Sequence, residues 1–233
     1  MRMKRSALCL LLSLVALMAS AQDAALHYQH AKYCMSFADY QADWWTDVDN
    51  VAKVTRSLGK VKWRGGTSIQ FKSTDKYLNR KLKSEVFAIA MNDTLYVNLR
   101  NMRYAGAGWG SGYAPAFPFN DNHQLLFIER YVGGGQNYET ALVMGLITGV
   151  AVYRLTDWKG KVCYLIGSDN QKATFLNNKM MIEFLANKPD LLKRYCALQN
   201  KKEQLDASYI MPLLIEAGLV PESATLHHQQ NKE

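Results

Sequence analysis

The sequence predicts an α+β fold, with a β-rich antiparallel body over residues 22–170 and two or three C-terminal helices packed on it. Two observations support this prediction. The first part of the chain carries short alternating or fully apolar runs that end at Gly, Asn or Asp, which is typical of strands and turns. Residues 171–220 carry apolar side chains at helical spacing. Because a few short helices bury little area alone, we expect this segment to pack on the body within one domain.

Residues 1–21 are predicted to be a secretory signal peptide. A basic start precedes an apolar run from Leu8 to Met18, and Ala19-Ser20-Ala21 matches a signal-peptidase site before Gln22. The apolar run is shorter than the roughly 20 residues of a transmembrane helix. Cleavage leaves 212 of the 233 residues and, because three basic residues are lost, lowers the net charge from +8 to +5.

Export to the periplasm, the cell envelope or the medium places the chain where disulfides persist. The mature chain keeps three cysteines, Cys34, Cys163 and Cys196. This odd number leaves two alternatives open, one bridge with a free thiol or three reduced, buried thiols. The chain has no C-x-x-C zinc motif, and the sequence predicts neither a metal site nor a cofactor.

The strands are predicted in order along the body. Residues 33–40 resemble a first strand, and two alternating runs, 60–64 and 68–72, resemble a hairpin around Gly65-Gly66. The clearest hairpin joins residues 85–91 to 94–99 through Asn92-Asp93, two residues that tolerate left-handed backbone angles. Both faces of its first strand are apolar, which predicts a central strand covered on both sides.

A long irregular stretch, rich in Gly, is expected over residues 102–123. Two further strands follow, at 124–132 and 161–167. In the C-terminal segment the spacing predicts one helix around Met180–Leu185, a second that begins at Pro189, and a third over 205–217 that Pro212 kinks and Gly218 ends. Residues 221–233 are a polar tail.

Several short motifs in this order carry a family resemblance. They are Tyr33-x-x-Ser-Phe-x-Asp-Tyr40, Leu95-Tyr-Val-Asn-Leu-Arg100, Gly112-Tyr-Ala114, Lys188-Pro-Asp-Leu-Leu192 and Ile210–Leu219. With the signal peptide they resemble a family of uncharacterised exported proteins of Bacteroidetes-type Gram-negative bacteria. The resemblance implies an exported or envelope location and a bacterial host. It implies no established activity and no catalytic residues.

The main charge feature is the basic segment, residues 53–83. It holds ten Lys and Arg residues against a single acid, Asp75. On the predicted strand Lys60, Lys62 and Arg64 share one face, which favours an anionic glycan, lipid or protein partner. The alternative is a solvated strand face whose lysines discourage aggregation. Nucleic acid is not predicted as a partner, because the excess charge is local.

The second candidate site is the aromatic loop, residues 104–119. Tyr104, Trp109 and Tyr113 alternate with glycines and could form a platform for a sugar ring or an apolar partner. The alternative is a loop that packs its own rings onto the sheet. The glycines match neither a phosphate-binding loop, which ends in G-K-[ST], nor a nucleophile elbow, since Ser111 lacks the flanking glycines.

A third feature is the uncharged run 141–152, which contains Gly145-x-x-x-Gly149. Its twelve residues are too few to cross a bilayer. One interpretation is buried core, or a hairpin packed under the C-terminal helices. The other is a segment that inserts into a membrane or self-associates through the two glycines.

Catalytic constellations are weak. Cys163 with His123 and Asp121 or Asp157 would suit a thiol hydrolase, but Cys163 lies in an apolar run. His27-x-x-His30 could bind a metal but lacks a third ligand nearby. Asp47 with Asp49 could serve as the acid pair of a glycosidase, but the two resemble ordinary turn acids. We therefore predict an exported, non-catalytic binding or structural module. Two alternatives remain open, a hydrolase of an envelope or dietary polymer and a self-assembling envelope component that uses residues 141–152.

Overall fold

The computed structural model describes residues 26–64, 66–121, 123–132, 160–168 and 172–224. It confirms the α+β class, with an antiparallel sheet followed by helices. The strands are β1 Gln29–Cys34, β2 Thr46–Thr55, β3 Ile69–Ser73, β4 Ala88–Met91, β5 Thr94–Asn98, β6 Arg103–Tyr104, β7 Ala107–Gly108, β8 Tyr113–Phe119, β9 Gln124–Arg130, β10 Lys161–Ile166 and β11 Ala173–Phe175. The helices are α1 Phe37–Gln41, α2 Leu58–Arg64, α3 Lys76–Ser84, α4 Asn178–Leu185, α5 Pro189–Ala197, α6 Lys201–Gln204 and α7 Ala207–Glu216.

The main sheet closes on itself at strand β8. Its nine strands run in the order β11-β10-β9-β8-β3-β2-β1-β4-β5, and β5 also pairs with β8. The six strands β8, β3, β2, β1, β4 and β5 therefore form a closed sheet, from which β9, β10 and β11 extend. The seam between β3 and β8 is short, with Ile69 paired to Tyr113. Thr67 adds to it, since its N–H donates to the Ser111 carbonyl and its hydroxyl to the Tyr113 carbonyl.

Helix α3 packs on the closed sheet and buries one side in its interior. Its Leu78 and Leu82 join a buried cluster to which all six strands contribute, with Val51, Phe71 and Ile89 among its members. Apolar side chains of α3 thus fill the interior of the closed sheet, and the opposite side of the helix is left to solvent.

The extension β8-β9-β10 is covered on both faces. One face carries Phe127 and Tyr164, which pack with Trp109 from the aromatic loop. The other face carries Leu126 and Cys163, which pack against the C-terminal helices. This confirms that those helices lie on the β body. Among the described residues no helix has the length and apolarity needed to cross a membrane.

The hairpin around Asn92-Asp93 is confirmed. Met91 pairs with Thr94, and both turn residues have positive φ, 48° and 57°. Strands at 124–130 and 161–166, and helices that include Pro189 and Pro212, also match the predicted positions.

Three predicted elements are wrong. Residues 60–64 form helix α2 instead of a strand, so the predicted hairpin with 68–72 does not exist. The predicted strand 33–40 stops at Cys34, because Ser36 caps helix α1 through its side chain, which accepts a hydrogen bond from the Asp39 N–H. The stretch 102–123 is not irregular throughout, since it contains β6, β7 and β8.

Candidate functional site

The residues predicted to form a basic strand face lie on helix α2. On a helix of 3.6 residues per turn, positions 60 and 64 are one turn apart, while position 62 is about halfway around the axis. A helical backbone does not place positions 60, 62 and 64 along one face, so the strand-face argument for Lys60, Lys62 and Arg64 is wrong. The helix is held at its start by Arg56, whose guanidinium donates to the Lys60 carbonyl over 3.1 Å.

Helix α3 carries a basic stripe that the sequence argument missed. The basic stripe consists of Lys76, Arg80 and Lys83, all exposed, at positions i, i+4 and i+7. These positions share one face of a helix, opposite the buried Leu78 and Leu82. The i, i+4, i+7 spacing was the signal available in the sequence.

The basic stripe is fixed in direction because both ends of α3 are held. The Asp75 carboxylate caps the start of the helix by accepting a hydrogen bond from the Tyr77 N–H over 2.8 Å. At the other end the Tyr113 hydroxyl donates to the Leu82 carbonyl over 2.6 Å, and the Asn98 amide donates to the Val86 carbonyl over 3.0 Å. Asp75, the single acid of the basic segment, is thus engaged in capping.

Exposed cations of the basic segment have no acidic partners in the described part of the chain. Salt bridges there involve His30, Lys32, Lys179 and Arg194. None of the salt bridges involves Lys53, Lys60, Lys72, Lys76, Arg80 or Lys83. Their positive charge is available to a partner from outside the chain.

Two aromatic side chains of the basic segment are also exposed. Trp63 on α2 is 89% exposed and Tyr77 on α3 is 64% exposed. The Lys81 ammonium lies over the Tyr77 ring, 4.8 Å from its centroid. Trp63 is one helical turn from Lys60, so an apolar ring and a cation lie side by side on α2.

The predicted aromatic platform at residues 104–119 is packed into the protein. Trp109 is fully buried, and its indole N–H donates to the Arg130 carbonyl over 3.0 Å. Tyr113 is buried inside the closed sheet. Tyr104 is half-buried, with its ring 5.7 Å from that of Tyr164. The loop thus matches the alternative in which it packs its own rings, and Trp109 and Tyr113 present no surface to a ligand.

A cavity of about 420 Å³ lies beside Lys53 of the basic segment. Lys53 pairs with the buried Phe71 across β2 and β3, and its ammonium donates to the Tyr96 hydroxyl over 3.1 Å. The other lining residues are His27, Gln29, Met91, Asn92 and Thr94. Among the described residues that line this cavity there is no acid, so an anionic group suits them better than a cation.

The two buried thiols, Cys34 and Cys163, are unsuited to nucleophilic chemistry. All three cysteines of the described part are free, and Cys34 and Cys163 are buried. Burial raises the pKa of Cys34 to about 12 and the pKa of Cys163 further still. Both side chains therefore stay protonated at neutral pH. His123 is exposed, whereas Cys163 packs under the C-terminal helices, and Asp157 lies outside the described residues.

His30 contacts both Asp47 and Asp49, the two acids considered as a glycosidase pair. Its Nδ1 lies 2.9 Å from an Asp49 oxygen and its Nε2 lies 3.0 Å from an Asp47 oxygen. The hydrogen bond to Asp49, and then the one to Asp47, raises the pKa of His30 above its ordinary value. Within the described ranges no three His, Cys, Asp or Glu side chains gather to hold a metal ion.

The run 141–152, with Gly145 and Gly149, lies outside the described residues.

Comparison with known proteins gives one match. No curated protein and no solved structure matches the chain. A family model matches residues 32–220, which span the closed sheet, the basic segment and the C-terminal helices. The chain therefore belongs to DUF6563, a family of unknown function.

Proposed function

We propose that this protein is a non-catalytic binding module that takes an anionic partner on the exposed face of its basic segment. The observation that carries the proposal is the basic stripe. Lys76, Arg80 and Lys83 point away from a helix whose other side is fixed inside the closed sheet. An array of cations on a rigid support, without acidic partners in the described chain, attracts an anionic surface.

Two exposed aromatic rings in the basic segment also support this function. Trp63 and Tyr77 add apolar area beside cations of their own helices. Exposure of apolar rings to water is unfavourable, and a face that only contacts solvent does not need them. Cations with exposed rings are typical of binding surfaces for anionic polymers and membranes.

The test compares two triple variants with the same loss of charge. Lys76→Gln/Arg80→Gln/Lys83→Gln removes the basic stripe, while Lys188→Gln/Lys193→Gln/Lys201→Gln removes three exposed lysines from the C-terminal helices. Gln preserves helix propensity. We expect the first variant to bind labelled dextran sulfate about 10-fold more weakly than the wild type, and the second to bind like the wild type. Equal weakening of both variants would mean that net charge alone drives binding and would overturn the proposal.

We also propose that the chain is exported, on the strength of the sequence pattern in residues 1–21. Expression of the full chain in a Gram-negative host tests this step. Mass spectrometry of the periplasmic fraction should find a chain that begins at Gln22. A full-length chain retained in the cytosol would contradict it. The bacterial host and an envelope location are part of the same proposal.

A further inference from the structure

We propose that the anionic partner is a lipid surface, and that Trp63 is the side chain that enters it. This inference rests on the proposed function and specifies the class of partner. Its basis is the juxtaposition, on helix α2, of a ring that is 89% exposed with the lysine one turn before it.

Helix α2 suits a membrane interface in composition. Its sequence Leu-Gly-Lys-Val-Lys-Trp-Arg over residues 58–64 combines apolar and basic residues without an acid. Trp partitions to the boundary between headgroups and acyl chains, because its ring is apolar and its N–H can still reach water. Lys and Arg can bury their aliphatic stems while their charges stay with the headgroups.

A sugar-binding site fits these residues less well. Recognition of a sugar needs several polar groups that converge around a stacking ring. Trp63 projects from a short helix, makes no ring contact with another aromatic of the described chain, and has Gly59, with open space around it, one turn before. An isolated, convex ring beside cations can enter a lipid surface, which needs no convergent hydrogen bonds.

The basic stripe supplies the long-range attraction in this arrangement. Each Lys or Arg near an anionic leaflet adds favourable energy, and three of them change the affinity by about 100-fold. Tyr77, which is 64% exposed and next to the stripe on α3, is a second ring of the interfacial type.

The experiment measures quenching of tryptophan fluorescence by brominated lipid. Vesicles of phosphatidylcholine and phosphatidylglycerol, with bromine on the acyl chains, quench a tryptophan that reaches the acyl region. Trp63→Phe removes the proposed anchor. Trp44→Phe is the matched control, because Trp44 is 72% exposed but precedes β2, whereas α2 follows it. The ten-residue strand β2 lies between the two tryptophans in the chain.

We expect the wild type and Trp44→Phe to be quenched on vesicles that contain phosphatidylglycerol, and Trp63→Phe to lose most of that quenching. Vesicles of phosphatidylcholine alone should quench none of the three. Equal quenching of Trp63→Phe and the wild type would overturn the inference. Binding to dextran sulfate without binding to vesicles would also overturn it and leave the proposed function intact, whereas failure of both would overturn both.

Discussion

His30 shows how neighbouring charges set the protonation of an exposed side chain. Only the protonated imidazole can donate from both nitrogens, and both lie within 3.0 Å of a carboxylate oxygen. The folded state therefore raises the pKa of His30, chiefly through Asp49 and then through Asp47. Protonation of His30 then favours the folded state below the unfolded pKa, and this contribution disappears as the pH rises through the folded pKa.

We predict that an NMR titration of His30 gives a pKa above 6.5 in the wild type and a lower value in Asp47→Asn/Asp49→Asn. Neutral Asn side chains keep the shape of Asp but remove the charge that stabilises the imidazolium. The same pKa in both proteins would show that the two carboxylates do not control His30.

Tyr113 links helix α3 to the wall of the closed sheet. Its hydroxyl donates to the carbonyl of Leu82, a group at the helix end that lacks an intrahelical partner. Burial raises the pKa of Tyr113, so its hydroxyl stays protonated at neutral pH and can donate this hydrogen bond. The residue predicted from sequence as a ligand platform is instead a support for the basic stripe.

Tyr113→Phe should lower the free energy of unfolding by about 1–2 kcal/mol, since a buried hydrogen bond is lost while the ring is kept. Tyr77→Phe, at an exposed position on α3, should change the free energy by less than about 0.5 kcal/mol. Urea unfolding curves measure both values. A cost at Tyr77 as large as that at Tyr113 would contradict this role for Tyr113.

At the scale of the elements, the seam between β3 and β8 depends on Gly112. Its φ of 129° suits glycine, and a Cβ there would press on the Thr67 hydroxyl and on the Ile69 carbonyl, both at the seam. Gly106 also has a positive φ, 80°, but faces open space. Alanine substitutions at these two glycines therefore distinguish the cost of backbone strain from the cost of steric overlap at the seam.

We expect Gly106→Ala to cost about 1–2 kcal/mol of stability, from left-handed backbone strain alone. Gly112→Ala should cost at least about 3 kcal/mol, since steric overlap adds to that strain. Thermal or urea unfolding of the two variants gives the comparison. An equal loss of stability in the two variants would mean that the seam between β3 and β8 accommodates the added Cβ. It would contradict the claim that closure of the sheet depends on Gly112.

Local patterns predicted the elements whose stability is local. The turn at Asn92-Asp93 needs left-handed angles that these residues tolerate, so the β4–β5 hairpin could be predicted. The helix at residues 60–64 could not be predicted, because three of its five residues, two Lys and one Arg, are good helix formers although the run alternates in polarity. A period of two cannot be separated from a helical period over so short a run. The predicted strand 33–40 ends early because Ser36 caps helix α1, a single interaction that the strand pattern does not indicate.

At the scale of the whole molecule, the closed sheet could not be predicted from the sequence. Its closure joins Ile69 to Tyr113, residues far apart in the chain, and no local pattern encodes such a pairing. The class and the position of the C-terminal helices were predictable, because apolar faces must be covered. The basic segment and the i, i+4, i+7 spacing of Lys76, Arg80 and Lys83 could be read from the sequence. The exposure of this face could not be predicted, because it depends on how α3 packs on the closed sheet.

The positive charge concentrated in the basic segment is the feature on which the proposed binding depends. A surface that binds through charge loses affinity as added salt screens that charge. A variant without the responsible cations should lose less affinity than the wild type over the same range of salt concentration. The positions of Lys76, Arg80 and Lys83 assign that dependence to one face of α3.

The most direct measurement is the dissociation constant for dextran sulfate at a series of salt concentrations, by fluorescence anisotropy. We predict that the wild type and Lys188→Gln/Lys193→Gln/Lys201→Gln share a steep dependence of Kd on salt. We predict a shallower dependence for Lys76→Gln/Arg80→Gln/Lys83→Gln, with weaker binding at low salt. A basic-stripe variant as steep and as tight as the wild type would contradict the claim that this face binds the partner.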